Sequence, residues 1–595
     1  MLNELINYAK ANKLSDVPGF KSKTAKWLII IDEQGKLIDI IDAKRKYSMC
    51  PNLEQFEMVS GRGETKCHFL LDTLSVVTLY KSQGKDIDKH RYYKKMLTLA
   101  KTHEPLLSSI LALLSDKDEL AKVNDKLNAN RAKKTDTVSF MVNNTDIIET
   151  NTWHNWWIDY RKSIIPDKGP QTPMICIASG ELTEPTTNHY KISGLTGVGG
   201  LSSGTALISF DKSSFTSYNL PQSLNASCSP NTVAAYRNAL DDLIEKAPRP
   251  LGDSMFLYWY KEPIPDEDDI FELGDFYDND DVMQETAANK VERIFNSIIE
   301  GKRPELTNNI YYILQITGAS GRVMVRDWLT GDFSELVGNF KSWFDDLMIV
   351  DPYGNSISND FKLSAALHTL VSYRKNEHRS KRNDRIKKEL TPNVPLIWRS
   401  IIENRELPDT IASRALSYIN SKLLSSENKE ENLDRISCAL LKAYIIRKFR
   451  ERGDEIVMKP ELDPGINSAE YQSGRLLAVL AMIQQTALGA VNAGMVQRYY
   501  TSASTTPMLV IGKLIQLSQH HLNKIGKSNK GLSVWYEKIL EEIMSQIRLE
   551  DIPKVLSLSG QTLFSLGYYQ QRAHMSKRNV ESTEGGENND NQESL

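Results

Sequence analysis

Residues 176–244 read CIASGELTEPTTNHYKISGLTGVGGLSSGTALISFDKSSFTSYNLPQSLNASCSPNTVAAYRNALDDLI. They hold a polar approach, a glycine-dense loop (Gly194, Gly197, Gly199, Gly200, Gly204) and an apolar run, Ala206 to Phe210, that reads as a strand. A turn rich in Asn, Gln and Pro follows, then an amphipathic helix from about Thr232. Glycine lets a backbone take positive φ and approach surfaces that a Cβ would hold off. The loop therefore reads as a contact loop, with a mobile surface loop as the plain alternative. A dinucleotide fingerprint needs G-x-G-x-x-G between a strand and a helix. Here Gly197-Val198-Gly199 is followed by Ser202 at the third position, and the loop leads into a strand, so a nucleotide fold is disfavoured.

On the N-terminal side, KWLIIID (26–32) and KLIDIID (36–42) read as two strands joined by a turn at Gln34-Gly35. Phe69 to Tyr80 is a further strand-like run, Lys89 to Asp116 reads as two helices, and Thr137 to Val142 as a strand. Trp153, Trp156, Trp157 and Tyr160 recur at helical spacing beside Arg161 and Lys162. Aromatics among basic residues can stack on bases, but core packing is the better reading, and His154 reads as structural. On the C-terminal side, Ser254 to Tyr260 reads as a buried strand, and PIPDEDDIFELGDFYDNDD (263–281) as a solvated acidic excursion. Ile310 to Ile316 and Val323 to Trp328 pair across the turn TGASGR (317–322). Arg322 and Arg326 beside a Gly/Ser turn suit a phosphate, or an ion pair to a carboxylate such as Asp327 or Asp332.

From about Phe333 helical signals dominate. Arg374 to Lys388 holds eight Lys/Arg against Glu377 and Asp384, the densest basic run in the chain. Such a run binds polyanions with counterion release, or is a solvated helix face. Asp434 to Lys448 reads as a helix with one apolar face and basic residues on the other. Glu470–Ala487, Thr506–Ile525, Leu532–Ile547 and Ser557–Arg578 have apolar positions at three- and four-residue intervals, which a four-helix bundle explains. The tail 579–595 is acidic, polar and without aromatics, and reads as disordered. The expected fold class is α+β, with antiparallel strands in the mixed N-terminal domain. The expected segments are an α+β domain (1–345), a helical connecting region (346–460), the bundle (461–578) and the tail.

The 595 residues exceed one core. A formal net charge of −3 gives no global sign of a nucleic-acid binder, so basic residues must act locally. Five scattered cysteines without C-x-x-C indicate neither a disulfide framework nor a zinc knuckle, and fit a reducing, cytoplasmic setting. The N-terminal helix, with Leu2, Leu5, Ile6 and Ala9 on one side, lacks the unbroken apolar core of a signal peptide, and no run approaches a membrane span. Gly526-Lys527-Ser528 ends like a Walker A loop, but its first glycine would fall at His521. The sequence contains no H-E-x-x-H. No cofactor or metal is expected, and the chain reads as non-enzymatic.

The run SGELTEP…ISGLTGVGGLSSGTALISFDKSSFTSYNLPQSLNASCSP…AAYRNAL resembles the signature region of the large subunit of the subtype I-C CRISPR Cascade, an RNA-guided DNA surveillance complex. MLNELINYAK, FLLDTLSVVTLY, NNIYYILQIT…GRVMVRDWLTGDF, AEYQSGRLLAVLAMIQQTALGAVN, YYTSASTTPMLVIGKLIQLSQHHLNKI and SLSGQTLFSLGYYQQR agree with that family in order along the chain. The family usually carries a Pro-Asn step in the 317–322 turn, where Gly318 and Ser320 stand here. The resemblance implies a subunit at the guide 5′-handle end of the complex. It would recognise a protospacer-adjacent motif in double-stranded DNA, aid strand separation and R-loop formation, and favour recruitment of a helicase-nuclease. Implied partners are the guide RNA handle, target duplex and displaced strand, and the backbone, handle-processing and small subunits. It also implies that the terminal bundle is made separately from an internal start, for which Met458 and Met482 are placed. A structural scaffold or a metal-dependent nuclease are the rival classes. From residue chemistry, Lys191, Gly197, Gly199, Gly200, Gln222 and Asn225 are candidates for motif or minor-groove contact. Arg322, Arg326, Arg374, Lys375, Arg379, Lys381, Arg382, Arg385, Lys387 and Lys388 are candidates for phosphates.

Overall fold

The computed structural model describes residues 1–59, 64–165, 172–216, 218–248, 250, 253–271, 287–359, 363–390, 392–425, 432–453, 458–489 and 494–587. The chain forms two compact units, the first made of residues 1–250, 254–259 and 313–329, the second of 251–253, 260–312 and 330–595.

In the first unit β1 (Phe20–Ile31) and β2 (Leu37–Pro51) form an antiparallel hairpin, with Ile31 opposite Leu37 and Gly35 at φ +80° in the turn. Ala25, Trp27, Ile29 and Ile31 are buried, the alternation that a strand gives to one face. The sheet order is β2-β1-β4-β3, with β3 (Asp72–Thr73), β4 (Thr137–Val142) and β5 (Thr145–Asp146), the last pairing with β4. The β1–β4 ladder is parallel, beside the antiparallel pairs β1–β2, β3–β4 and β4–β5. A parallel pair needs a long crossover. The helices Asp86–Ala100, Leu107–Ser115 and Lys117–Ala129 lie within that crossover, the last capped by Asp116, whose carboxylate accepts from the N–H groups of Asp118 and Glu119.

The run Phe69–Tyr80 contributes only β3 and a short helix, Leu74–Val77, rather than a long strand. Phe69, Leu70, Leu71, Leu74, Val76 and Val77 are all buried, so the run is apolar because it is enclosed on every side. The tryptophan helix His154–Ile164 behaves as core. Trp153 and Trp157 are fully buried, and their indole N–H groups donate to Ile147 O at 3.0 Å and Gly19 O at 2.8 Å.

The pair β6 (Met174–Ile175) and β7 (Leu182–Thr183) precedes the glycine loop. The helix Pro230–Lys246 follows it, with Ser229 Oγ accepting from Thr232 N–H and proline at the first turn. A second sheet runs β10-β9-β8, with β8 (Met255–Tyr260), β9 (Ile310–Ala319) and β10 (Arg322–Asp332). Ser320 at φ +46° and Gly321 at φ +90° make the two-residue turn between β9 and β10. Ala206–Phe210 is not a strand: only Ala206 joins a ladder, as a parallel bridge to Arg322, and its neighbours are half-buried.

The second unit is mainly helical, with β11 (Ile349–Val350) and β12 (Ile357–Ser358) as a small antiparallel pair. In the helix Arg435–Glu451 the basic residues do not all face water, contrary to expectation. Lys442 and Arg447 are buried, and Asp346 takes Arg447 Nε at 2.8 Å and Arg450 at 2.7 Å. Asp268, read as part of a solvated acidic stretch, is likewise buried against Arg293 and Arg303; residues 272–281 of that stretch lie outside the described residues.

The C-terminal region has five helices among the described residues: Ala469–Leu488, Met495–Thr505, Pro507–Ser528, Lys530–Ser545 and Leu558–Glu587. The second was not among the four expected helices. The last helix continues through 579–587, the first part of the predicted disordered tail, while 588–595 lie outside the described residues. No helix among the described residues is long and apolar enough to cross a membrane.

Candidate nucleic-acid interface

The glycine segment folds back on the β9–β10 hairpin. Ala206 N–H donates to Gly321 O at 2.9 Å and Val323 N–H to Ala206 O at 2.8 Å. Ile192 and Thr205 exchange hydrogen bonds at 2.9 and 2.8 Å, closing the loop at its base. Thr317 Oγ1 donates to Val198 O at 3.2 Å. A Cβ on Gly199, which has φ +87°, would stand 2.6 Å from Gly318 O, and one on Gly318 would strike the Gly200 backbone. A Cβ on Gly200 would meet Leu195 and Thr205, and one on Gly204, at φ +92°, would meet Lys191. The glycines that suggested contact with another molecule thus serve first a contact inside the chain. Gly197 differs: it is exposed, and a Cβ there meets only Pro250, at 3.8 Å.

Gln222 is exposed and sits at φ +53°. Asn225 is half-buried, and its amide donates to Leu220 O at 2.7 Å and Gln222 O at 3.0 Å, so it shapes the turn that presents Gln222. Lys191 is half-buried and has no polar partner among the described residues; it lines a cleft of about 230 Å³ with Glu54, Phe56, His189, Tyr190 and Ser223. Phe56 and Tyr190 are stacked at the cleft, ring centroids 6.4 Å apart. His189 is buried with Nδ1 2.8 Å from the Tyr236 hydroxyl, and desolvation pushes its pKa down to about 4 although the Ala226 carbonyl works the other way. It is a neutral ring at pH 7.

Arg322 pairs with Asp211 at 3.2 Å, both exposed, rather than with Asp327 or Asp332. Arg326 is exposed and without a partner among the described residues. The two guanidiniums alternate in character along the same strand. Sequence reading passed over Lys21 and Lys23 on β1; Lys21 donates to Ser193 Oγ at 2.7 Å, beside Gly194. Their signal was present as two lysines two residues apart at the head of a strand.

In the second unit the basic run divides between an entry segment and the helix Arg379–Leu390. Arg385 is held by Glu377 at 3.0 Å, Glu389 at 3.1 Å and Ser372 Oγ at 3.0 Å. Arg382 donates to His368 O at 2.8 Å and lies over the Tyr418 ring. These two brace the helix. Arg374, Lys375, Arg379, Lys381 and Lys388 are exposed, and the Lys387 side chain lies outside the described residues.

A family profile described as CRISPR-associated protein (Cas_Csd1) matches residues 5–576. The chain belongs to that family. It is the family of the type I-C Cascade large subunit, which the signature segments resemble, and it makes the protein a CRISPR-associated Cascade-type subunit. A search of curated proteins finds no match. The Csd1 match takes in both compact units and every candidate contact residue, so neither unit is foreign to the family.

Proposed function

We propose that this Csd1-family chain is a non-catalytic subunit that recognises a protospacer-adjacent motif in duplex DNA, stabilises the opened strands and favours recruitment of a helicase-nuclease. The observation that carries the reading is the union of two distant segments. Residues 190–226 and the β9–β10 hairpin, which hold all first-unit candidates, are hydrogen-bonded into one substructure. Lys191, Gln222 and Arg326 supply a cation, an amide and a guanidinium there, groups suited to phosphates and base edges. Guide pairing reads the long target, so the protein needs only a few base pairs and backbone charge. The basic run of the second unit, with Arg382 and Arg385 as internal braces, offers its exposed lysines and arginines to phosphate.

The C-terminal helices fit production of a shorter second product from Met458, which precedes the helix Ala469–Leu488, better than from Met482, which is buried inside it. A start at Met482 would discard Tyr471, Gly474 and Arg475, which pack against the last helix. Replacing Met458 should abolish a short chain on a blot; its persistence would point to another start.

The decisive measurement compares guide-loaded complex with and without this chain, on short duplexes with randomised flanks across a salt series. Loss of motif selectivity on omission is expected, with alanine at Gln222 weakening it. Selectivity that persists without the chain would leave a scaffold.

A further inference from the structure

The cleft lined by Lys191 has walls from two stretches far apart in sequence. One is the glycine segment, through Tyr190, Lys191, Ser209 and Ser223; the other is the short helix Gln55–Val59 with Glu54 before it. That helix is pinned on its buried side. The Glu57 carboxylate pairs with Arg161 and accepts from Glu54 N–H at 2.7 Å, and the Glu57 carbonyl accepts from Lys66 Nζ at 2.9 Å. Phe56 is therefore held in place. Its ring lies 13° from parallel with that of Tyr190, centroids 6.4 Å apart, in the offset arrangement that aromatic pairs prefer. Tyr190 is buried and carries the Arg237 guanidinium 5.5 Å from its ring centroid, whereas Phe56 is half-buried. The offset leaves part of the Phe56 ring open to the cleft, with a buried ring and a buried cation behind it.

The polar groups of the cleft are mostly unspent. Glu54 is neutralised by Arg237 at 3.0 Å. Gln55, Lys191, Ser209 and Ser223 have no side-chain partner among the described residues. His189 is buried, uses Nδ1 on Tyr236, and leaves Nε2 without a hydrogen bond. The stem of Lys191 packs over Gly204, where a Cβ would stand 2.8 Å from its own. The cleft thus offers one flat apolar surface, one cation without a counter-ion, and several donors and acceptors. An aromatic side chain of a protein partner would cover those polar groups and leave them unpaired, whereas a heterocycle with polar edges satisfies them. The cleft volume of about 230 Å³ falls below the roughly 300–1,000 Å³ of sites that enclose drug-sized ligands, so it suits a single ring system with its sugar outside.

We propose that this cleft seats one unpaired nucleobase of a bound nucleic acid, stacked on Phe56, its edge toward Gln55, Ser209 and Ser223 and a flanking phosphate on Lys191. Every base has a π face, so such a site holds a strand without reading it. Ser223 directly follows Gln222, which puts the cleft beside the candidate for motif contact. The inference rests on the nucleic-acid reading above and adds a site to it. The base belongs either to the guide handle or to an opened target strand.

The test scans single abasic positions in complex that contains the full-length chain. One arm runs along the guide handle and reads the affinity of this chain for the rest of the assembly. The other runs along both strands of a pre-opened target and reads target affinity. One position should lose about 5- to 150-fold when its base is removed. Phe56→Leu should cost a similar factor with the base present and nothing further at that abasic position, and Phe56→Trp should retain binding. Gln55 is exposed, so Gln55→Ala leaves folding intact and should show a smaller loss coupled to the same position. Lys191→Met should lower the slope of log K against log salt by about 0.7 to 0.9. A coupled position in the handle assigns the base to guide RNA, and one in the target assigns it to DNA. If no position in either arm couples to Phe56 or Gln55, the cleft holds no base and the proposal falls. If Phe56→Leu instead loosens another protein subunit with no coupled position, the cleft takes a protein side chain and the proposal falls as well. Wild type without nucleic-acid affinity overturns the underlying reading.

Discussion

Glycine brings two backbones together in each compact unit, by different means. In the first, Gly199 and Gly200 meet Gly318 where a loop folds onto a hairpin, and Gly199 also needs its positive φ. In the second, Gly474 and Gly567 lie on facing helices, where a Cβ on Gly474 would collide with the Phe564 carbonyl and one on Gly567 with that of Tyr471. The loop glycines solve a conformational and a steric problem together. The helix glycines solve only a steric one, so they are replaceable in φ/ψ and not in volume.

That distinction sets the largest expected effect. Gly474→Ala or Gly567→Ala should destabilise the second unit by about 3 kcal/mol, at the upper end of overpacking costs, even though alanine regains about 1 kcal/mol of helix propensity. The obstacle is backbone on the opposite helix, which cannot swing aside as a side chain can. Denaturant unfolding would measure it. A variant as stable as wild type would mean that the helices separate without loss, and the comparison would break at its strongest point.

The same contrast explains what was legible beforehand. Five glycines within eleven residues, Gly194–Gly204, announce themselves. Their partner Gly318 lies more than a hundred residues away, so the sequence showed a loop made for contact but not that the contact is internal. Gly474 and Gly567 stand alone within helical patterns, where glycine signals only a modest propensity cost. The hairpins around Gly35 and Ser320-Gly321 were readable because turn chemistry is local, as was the tryptophan helix from its period. The pairing of β1 with β4 was not, since it depends on a crossover. Charge was the least legible quantity. Arg385, Arg447 and Lys442 looked like surface cations until their carboxylate or carbonyl partners came from elsewhere in the chain.

Acid should separate the two glycine contacts. His189 beside the loop has its pKa lowered to about 4 by burial, so the folded state excludes a proton that the unfolded chain binds near 6.5. Stability from this group is complete above about 6.5 and is lost as pH falls toward 4, by at most on the order of 3 kcal/mol. Hydrogen exchange between pH 7 and 4.5 should show protection falling in residues 186–226, and His189→Gln should flatten that dependence. Equal loss in the variant would assign the acid response to other groups.

Gly318→Ala should have a smaller effect than the helix substitutions, about 2 kcal/mol, because a surface loop can lift from the hairpin where two packed helices cannot part. The loss should be local, read as faster exchange in 195–206 with little change in the melting temperature of the second unit. A global loss would mean that the loop is integral to the core of the first unit.

The smallest effect belongs to Gly197, and it is the most informative about function. Its φ is not in the left-handed region, and a new Cβ meets only Pro250 at ordinary contact distance, so Gly197→Ala should alter stability by less than about 0.5 kcal/mol. Every other glycine between 194 and 204 is held to its identity by the fold, and substitution there confounds folding with binding. Gly197 is free of that confusion. If the loop approaches DNA closely, bulk at Gly197 should weaken motif-bearing duplexes in the assembled complex while the free chain melts normally. If Gly197→Ala and then Gly197→Leu leave affinity and selectivity untouched, the exposed side of the loop touches nothing. Motif contact would then belong to Gln222 and its neighbours, and the glycine density of this stretch would be accounted for entirely by the way the chain packs against itself.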